Sequence, residues 1–328
     1  MAEKKQVKKS STSSAKSKSG SKNTKGKNSV AKKIITLVLT LALIFVLYKY
    51  CPSALQEYFP EVAQILGMPV EESSTASTSS TSSAGTQKSG GTVTGVNPTG
   101  MLYPARVNEP DHEYRDYLGY SLCYRESYEQ AEWSADCLTR DKLKKVVNRT
   151  DDFREDPGVS TGTATLADYK GSGYDRGHLV PAANLWWDAQ AMSESFYFSN
   201  MSPQAGAFNR GMWKELEEQV RDWAGEFGTV YITSGPILEK DNYPTIGKKN
   251  KIAVPEYYYK VVLAHTDDDR WSAIGFIMAN EKLEGEIKDY VTTVDAVEAR
   301  TNIDFFADLD DDVEAKLEST YDLSFWFK

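Results

Sequence analysis

Residues 171–182 read Gly171-Ser-Gly-Tyr-Asp-Arg-Gly-His-Leu-Val-Pro-Ala182, and the reading of the whole chain turns on this stretch. Its glycines let the backbone turn sharply and approach a ligand closely. Arg176 supplies a rigid, permanently charged donor fork suited to phosphate. His178, two residues on, can take a proton from water near neutral pH. A neutral histidine beside a guanidinium suits phosphodiester hydrolysis. A structural turn around a hydrogen-bonded histidine is the competing reading. The other histidines have blander surroundings. His112, in Glu-Pro-Asp-His-Glu, reads as part of a solvated loop, and His265 as the end of an apolar strand.

Moving outward, residues 196–204 read Phe-Tyr-Phe-Ser-Asn-Met-Ser-Pro-Gln, and Asn209 follows shortly after. Trp213, Leu216, Val220 and Trp223 or Ala224 repeat at helical spacing, so a helix from about Gly211 buries that face. Glu217 and Arg221, four apart, are neighbours on such a helix, where a surface ion pair is the default. Asn209 just before it suits an N-cap, although its side-chain oxygen also suits a hard cation such as Mg2+. Strand-like runs occur at Tyr114–Tyr124, Thr229–Thr233, Ile252–Ala264 and Trp271–Ile277, and a further helix-like run at Ala189–Phe196. Strands and helices mix without regular alternation, which predicts an α+β fold.

Taken together, these motifs resemble the DNA/RNA non-specific endonuclease family. It is a branch of the ββα-metal nucleases that includes secreted bacterial nucleases and mitochondrial endonuclease G. The resemblance rests on Tyr174-Asp-Arg-Gly-His-Leu-Val-Pro-Ala182, on Asn-Met-Ser-Pro-Gln at 200–204, and on Asn209 followed by Glu217. Upstream, Arg149-Thr-Asp-Asp-Phe-Arg-Glu-Asp-Pro157 and Ala167-Asp-Tyr-Lys-Gly-Ser-Gly173 also match, and weaker echoes run through Thr233, Ile252 and Thr301. The similarity covers about residues 100–325.

The resemblance implies a ββα-metal fold on a mixed or antiparallel sheet. It implies a Mg2+-dependent endonuclease, with Mn2+ as a substitute, that cleaves DNA and RNA without sequence preference to 5′-phosphate and 3′-hydroxyl ends. It casts His178 as general base, Asn209 as direct metal ligand and Glu217 as the acid holding metal-bound water. Arg149, Arg176 and Arg221 then engage phosphate, with Arg154 as a companion of Arg149 and Asp175 orienting the motif. Arg210 stands where glutamine is frequent in the family and is expected to point away from the metal. A homodimer is a family expectation, with no interface legible in the sequence. The alternative is a catalytically inactive nucleic-acid or envelope binding module, against which every matched position carries a functional residue type.

Charge divides the rest of the chain. Residues 1–33 hold eleven lysines and one acid, a net +10, while the chain totals −9, so the remainder carries −19. That Lys/Ser-rich tail cannot bury enough apolar surface to order itself. Ile34–Tyr48 is uncharged, and with snorkelling of Lys49 the segment 34–55 suits a transmembrane anchor. The lysine flank then places the catalytic domain outside the cytoplasm, in a periplasm or at a cell surface. A cleaved signal peptide and secretion, or a mitochondrial location, are the other readings. Residues 56–98 are a juxtamembrane segment and a Ser/Thr/Gly linker, and 99–328 are the endonuclease-like domain.

That domain carries −17, awkward for a polyanionic substrate. A basic stretch at 140–154 and an acidic one at 302–328 predict a polarised surface with the acids away from the cleft. Asp308–Glu314 lacks the glycine of an EF-hand loop and reads as an acidic turn leading into a helix. Cys123 and Cys137 lie close enough in sequence to pair in an oxidising compartment, or to remain buried thiols.

Overall fold

The computed structural model describes residues 92–94, 96 and 102–328. The basic tail, the apolar segment 34–55 and most of the linker lie outside the described residues. Among the described residues, no helix is long and apolar enough to cross a membrane.

The strands are β1 (Val93–Thr94), β2 (His112–Asp116), β3 (Tyr120–Arg125), β4 (Gln130–Thr139), β5 (Tyr174–His178), β6 (Met201–Ala205), β7 (Gly228–Pro236), β8 (Thr245–Ile246), β9 (Ile252–Ala253), β10 (Tyr257–Thr266), β11 (Arg270–Ala279) and β12 (Val291–Thr292). The helices are α1 (Leu166–Tyr169), α2 (Ala189–Glu194), α3 (Gly206–Asn209), α4 (Met212–Phe227), α5 (Val294–Thr301), α6 (Asp311–Glu318) and α7 (Leu323–Trp326). One antiparallel sheet runs β1-β11-β10-β7-β4-β3-β2, with β12 added on β11. The expected α+β class and antiparallel core are therefore present.

Both faces of this sheet are covered, because alternate residues of its central strands are apolar in both directions. Val262, Ala264 and Ile274 pack with α4 in one layer. Val261, Leu263 and Ala273 pack with Val294 and Val297 of α5 and Leu317 of α6 in the other. In α4, Trp213, Leu216, Val220, Trp223, Ala224 and Phe227 are all buried, as the helical spacing predicts. Burial of a side chain such as Leu216 or Val220 contributes about 1.5–3 kcal/mol. The helix ends at Gly228, whose φ of 112° suits glycine.

The quoted motif forms β5 and pairs antiparallel with β6, placing Gly177 opposite Ser202 and His178 opposite Met201. A Cβ on Gly177 would lie 2.1 Å from the Gln204 side chain, which lies across this position and fills the space a side chain would need. Buried Asn200 fastens the far end. Its oxygen accepts from Val180 N at 3.0 Å, and its amide donates to Val180 O at 2.9 Å and Ser195 O at 3.0 Å. The chain then passes through α3 into α4, completing two strands and a helix around one corner.

Several expectations change on folding. The run 114–124 is a hairpin broken around Gly119, and the run 252–264 is broken by Pro255 into β9 and β10. His112 is not in a solvated loop. It sits in β2 with Nε2 3.0 Å from Glu132 Oε1, a carboxylate that also pairs with Arg125. Cys123 and Cys137 are both free and buried. Cys123 is in register with Trp133, four residues along β4 from Cys137. Four residues of strand span about 13 Å, beyond the roughly 4.4–6.8 Å Cα separation of a disulfide. The acidic run at 308–314 does lead into a helix, α6.

Candidate active site

A cleft of about 510 Å³ opens beside β5. Arg149, Phe153, Lys170, Asp175, Arg176 and Asn209 are among its lining residues, so the upstream Arg149 motif, the central motif and Asn209 meet in one place. The loop carrying Arg149 is pinned from behind. Asp156 accepts from Tyr117, from Ser199 and from Gly158 N at 2.8 Å. Half of that upstream motif is therefore a structural clasp, and half faces the cleft.

His178 lies behind the lining, 8% exposed, where Phe153 and Phe196 present ring contacts at centroid distances of 5.9 and 5.1 Å. Its Nε2 is buried and has no hydrogen-bond partner. Burial first, then the positive charges of Arg149 and Arg176, lower its pKa from the ordinary 6.5 to about 3. The imidazole is accordingly neutral, with an uncommitted ring nitrogen. The alternative of a hydrogen-bonded structural histidine does not describe it.

Asn209 closes α3 rather than capping α4. Its amide nitrogen donates to Asp175 Oδ2 at 3.0 Å, which leaves its oxygen as the free acceptor among the described residues. The same Asp175 oxygen lies 3.4 Å from Arg210 Nε. Asp175 thus holds the Asn209 amide in place. Arg210, exposed, lies against Asp175.

Glu217, half-buried on α4, makes no side-chain hydrogen bond among the described residues. Burial raises its pKa, against the opposing positive charges of Lys260, Arg221 and Arg149. Arg149 therefore acts on both His178 and Glu217, which ties the two to one site. Arg221 points to a different partner, with Nη1 3.3 Å from Asn184 Oδ1.

Beneath these residues lies a buried polar row that the sequence reading missed. Ser134, Ser234 and Lys260 stand in register across β4, β7 and β10. Lys260 is 1% exposed, donates to Ser234 Oγ, and sets its ammonium 4.5 Å from the Trp213 ring centroid. Burial lowers the Lys260 pKa, against the opposing pull of the Glu217 and Asp136 carboxylates. Asp136, raised to about 6 by burial, accepts from Asn184 Nδ2 at 2.9 Å. The chain Asp136–Asn184–Arg221 and the Lys260 ammonium together form the floor under Glu217. A lone lysine within the apolar run 257–264 was the one available signal.

Arginine placement is selective. Arg149 stacks over Phe196 at 4.7 Å and Arg176 over Phe153 at 4.1 Å, both on the cleft wall. Arg154 is committed elsewhere, donating to Asp152 Oδ2 and Ser193 O, each at 2.8 Å, and lying over Tyr197. It is not among the lining residues, which revises its expected companionship with Arg149. Of the other bases in 140–154, Arg140 pairs with Asp267, and Lys142 and Lys145 lie over Trp187 and Trp186. The cleft wall carries Arg149, Lys170 and Arg176 against Asp151 and Asp175. The positive surroundings of His178 thus coexist with the negative whole, while α6 lies on the other face of the sheet.

Asn209 keeps an unshared amide oxygen and Glu217 an unpartnered carboxylate, each the kind of oxygen donor that a hard dication takes. The family model for DNA/RNA non-specific endonuclease matches residues 99–312. The chain belongs to that family. Nuclease C1 of Cunninghamella echinulata var. echinulata is 36% identical over 217 residues, spanning 60% of this chain and 84% of that protein. Mitochondrial endonuclease G of Homo sapiens is 33% identical over 199 residues, spanning 57% of this chain and 67% of the relative. A chain in the crystal structure of the EndoG/EndoGI complex superposes with a TM-score of 0.56 at 29% identity, covering 60% of this chain and 86% of that one. This member of the DNA/RNA non-specific endonuclease family is a nuclease, a hydrolase of phosphodiester bonds in nucleic acids.

Proposed function

We propose that this endonuclease is Mg2+-dependent, with Mn2+ able to substitute, and cleaves DNA and RNA to 5′-phosphate and 3′-hydroxyl ends. The observation that carries the reading is the meeting in one cleft of an open Asn209 oxygen and the Arg149 and Arg176 guanidiniums, with the neutral His178 imidazole set behind the same wall against Phe153. Asn209 would hold the ion directly, and Glu217 through its water. A bound dication supplies Lewis-acid stabilisation of the phosphoryl and leaving oxygens.

The chain's own residues supply the rest. His178 removes the proton from a water placed in line with the scissile bond, through the ring nitrogen opposite the sealed Nε2. Arg149 and Arg176 receive the phosphoryl oxygens as charge builds on them. Arg221, through Asn184, ties Glu217's helix to Asp136 and extends positive charge beneath the cleft. Phosphate contacts carry no base information, so sequence preference is weak.

Two outcomes test this. Cleavage of plasmid and RNA by the full-length protein should vanish in EDTA and return with Mg2+, and Glu217→Gln should cost about 10–100-fold in metal affinity or rate. A fully active Glu217→Gln protein in limiting Mg2+ would sink the role assigned to Glu217.

We also propose the four-part organisation of tail 1–33, anchor 34–55, linker 56–98 and domain 99–328, with the domain extracytoplasmic. It is supported by the uncharged run at 34–48 and its lysine flank. Several relatives carry "mitochondrial" in their names, which favours an organellar reading as the alternative. Protease added to cells whose outer barrier, where there is one, has been opened while the inner membrane stays intact should digest the catalytic domain, and full protection would reject that orientation.

A further inference from the structure

We propose that Asp295, Glu298 and Glu318 hold a calcium-sized divalent cation that clamps α5 to α6, on the face of the sheet opposite the catalytic cleft. Asp295 and Glu298 stand three residues apart on α5, so they share a face, and Glu314 and Glu318 do the same one turn apart on α6. One oxygen from each of Asp295, Glu298 and Glu318 falls within 4.8 Å of the other two. Two oxygens on opposite sides of one Ca2+, each about 2.4 Å from it, are separated by about that distance.

The second observation concerns Glu318 itself. It is 6% exposed, and its Oε1 is buried without a hydrogen-bond partner. Glu314 Oε1 is likewise buried and unpartnered. A carboxylate oxygen left this way costs free energy unless a cation or a proton meets it. The charges acting most strongly on Glu318 are the carboxylates of Glu298, Glu314, Asp295 and Asp304, and those on Glu314 are also acidic. Glu298 Oε1 accepts from Phe305 N at 2.9 Å, which fixes that side chain within hydrogen-bonding reach of the Glu318 carboxyl.

The frame around the group is rigid. Val294, Val297 and Leu317 anchor both helices in the second apolar layer, together with Phe305 and Phe306 of the connecting loop. Clustered carboxylates on fixed helices, with room for water at the exposed Asp295 side, suit the flexible six- to eight-oxygen shell of Ca2+ better than the strict octahedron of Mg2+.

The test uses metal-stripped full-length protein carrying Asn209→Ala, which removes the direct ligand proposed for the catalytic ion. Addition of CaCl2 should raise its Tm by several degrees. In the same background Glu298→Gln/Glu318→Gln should lose most of that rise, while being no less stable than its parent in EDTA, because repulsion is relieved. Asp295→Asn is the milder second variant and should weaken the calcium dependence if the double variant does not fold. A Ca2+-induced rise of equal size in the carboxamide variants overturns the proposal. So does the absence of any rise in the Asn209→Ala parent, which would leave shared protons as the device that neutralises the cluster. Neither result bears on the nuclease reading.

Discussion

Alanine in place of His178 is expected to lower kcat for Mg2+-supported DNA cleavage by about 10²–10⁴-fold, the range a positioned general base contributes. The fold should survive the change, since Nε2 makes no hydrogen bond that the substitution could break. The same imidazole leaves a thermodynamic signature. Its pKa in the folded protein is depressed to about 3, so below the unfolded value of 6.5 the unfolded chain binds more protons. Its contribution to stability is complete above about pH 6.5 and declines as the pH falls toward 3. At pH 5 the loss amounts to about 2 kcal/mol. Thermal unfolding at pH 7.5 and 5.0 should therefore show the wild type losing more stability on acidification than His178→Ala. Equal losses would show that the histidine is not buried neutral, and undiminished cleavage would remove it from the mechanism.

Lys260→Met should destabilise the protein by about 3–5 kcal/mol, the usual result of removing one member of a buried charged group. The substitution preserves volume and removes the ammonium that faces both Asp136 and Glu217. Both carboxyls already sit above their ordinary range because of burial, and loss of Lys260 raises them further. Groups raised in the folded state lose stability as the pH climbs through their folded values. The deficit of the variant should accordingly grow between pH 6 and 8. Asp136→Asn added to Lys260→Met should recover part of it, with a coupling of about 0.5–3 kcal/mol in a double-mutant cycle. A deficit that is flat with pH, or strictly additive, would mean that Lys260 contributes packing against Trp213 and little charge.

The central motif, Asn209 after it, and the apolar face of α4 were all legible because each is local. Gly177, His178 and Asn209 lie within one hairpin and the turn after it, and Trp213 through Phe227 report a single helical period. The floor beneath them was not legible. Ser134, Ser234 and Lys260 come together only through the register of β4, β7 and β10, which no short window encodes. The whole of β4 escaped notice because Glu132, Ser134 and Asp136 look solvent-facing, whereas both sides of that strand are covered. His112 misled for the same reason, its polar neighbours being partners across a hairpin and not a water-exposed loop. Arg154 was over-read, since sequence proximity to Arg149 says nothing about the Asp152 and Ser193 atoms that claim it.

The two guanidiniums that flank His178 carry an implication for timing. In the free enzyme they help to keep the imidazole a poor base, after burial itself. A nucleic-acid phosphate settling between Arg149 and Arg176 cancels that part of the field, and the imidazole gains basicity at the moment a scissile bond arrives. On the mechanism proposed above, the substrate thereby arms the base that activates its attacking water, and the resting enzyme would have little capacity to activate water in its absence. Such a device appears in the pH profiles: the acid limb of kcat should lie at higher pH than that of kcat/KM, because the first reports the occupied enzyme and the second the free one.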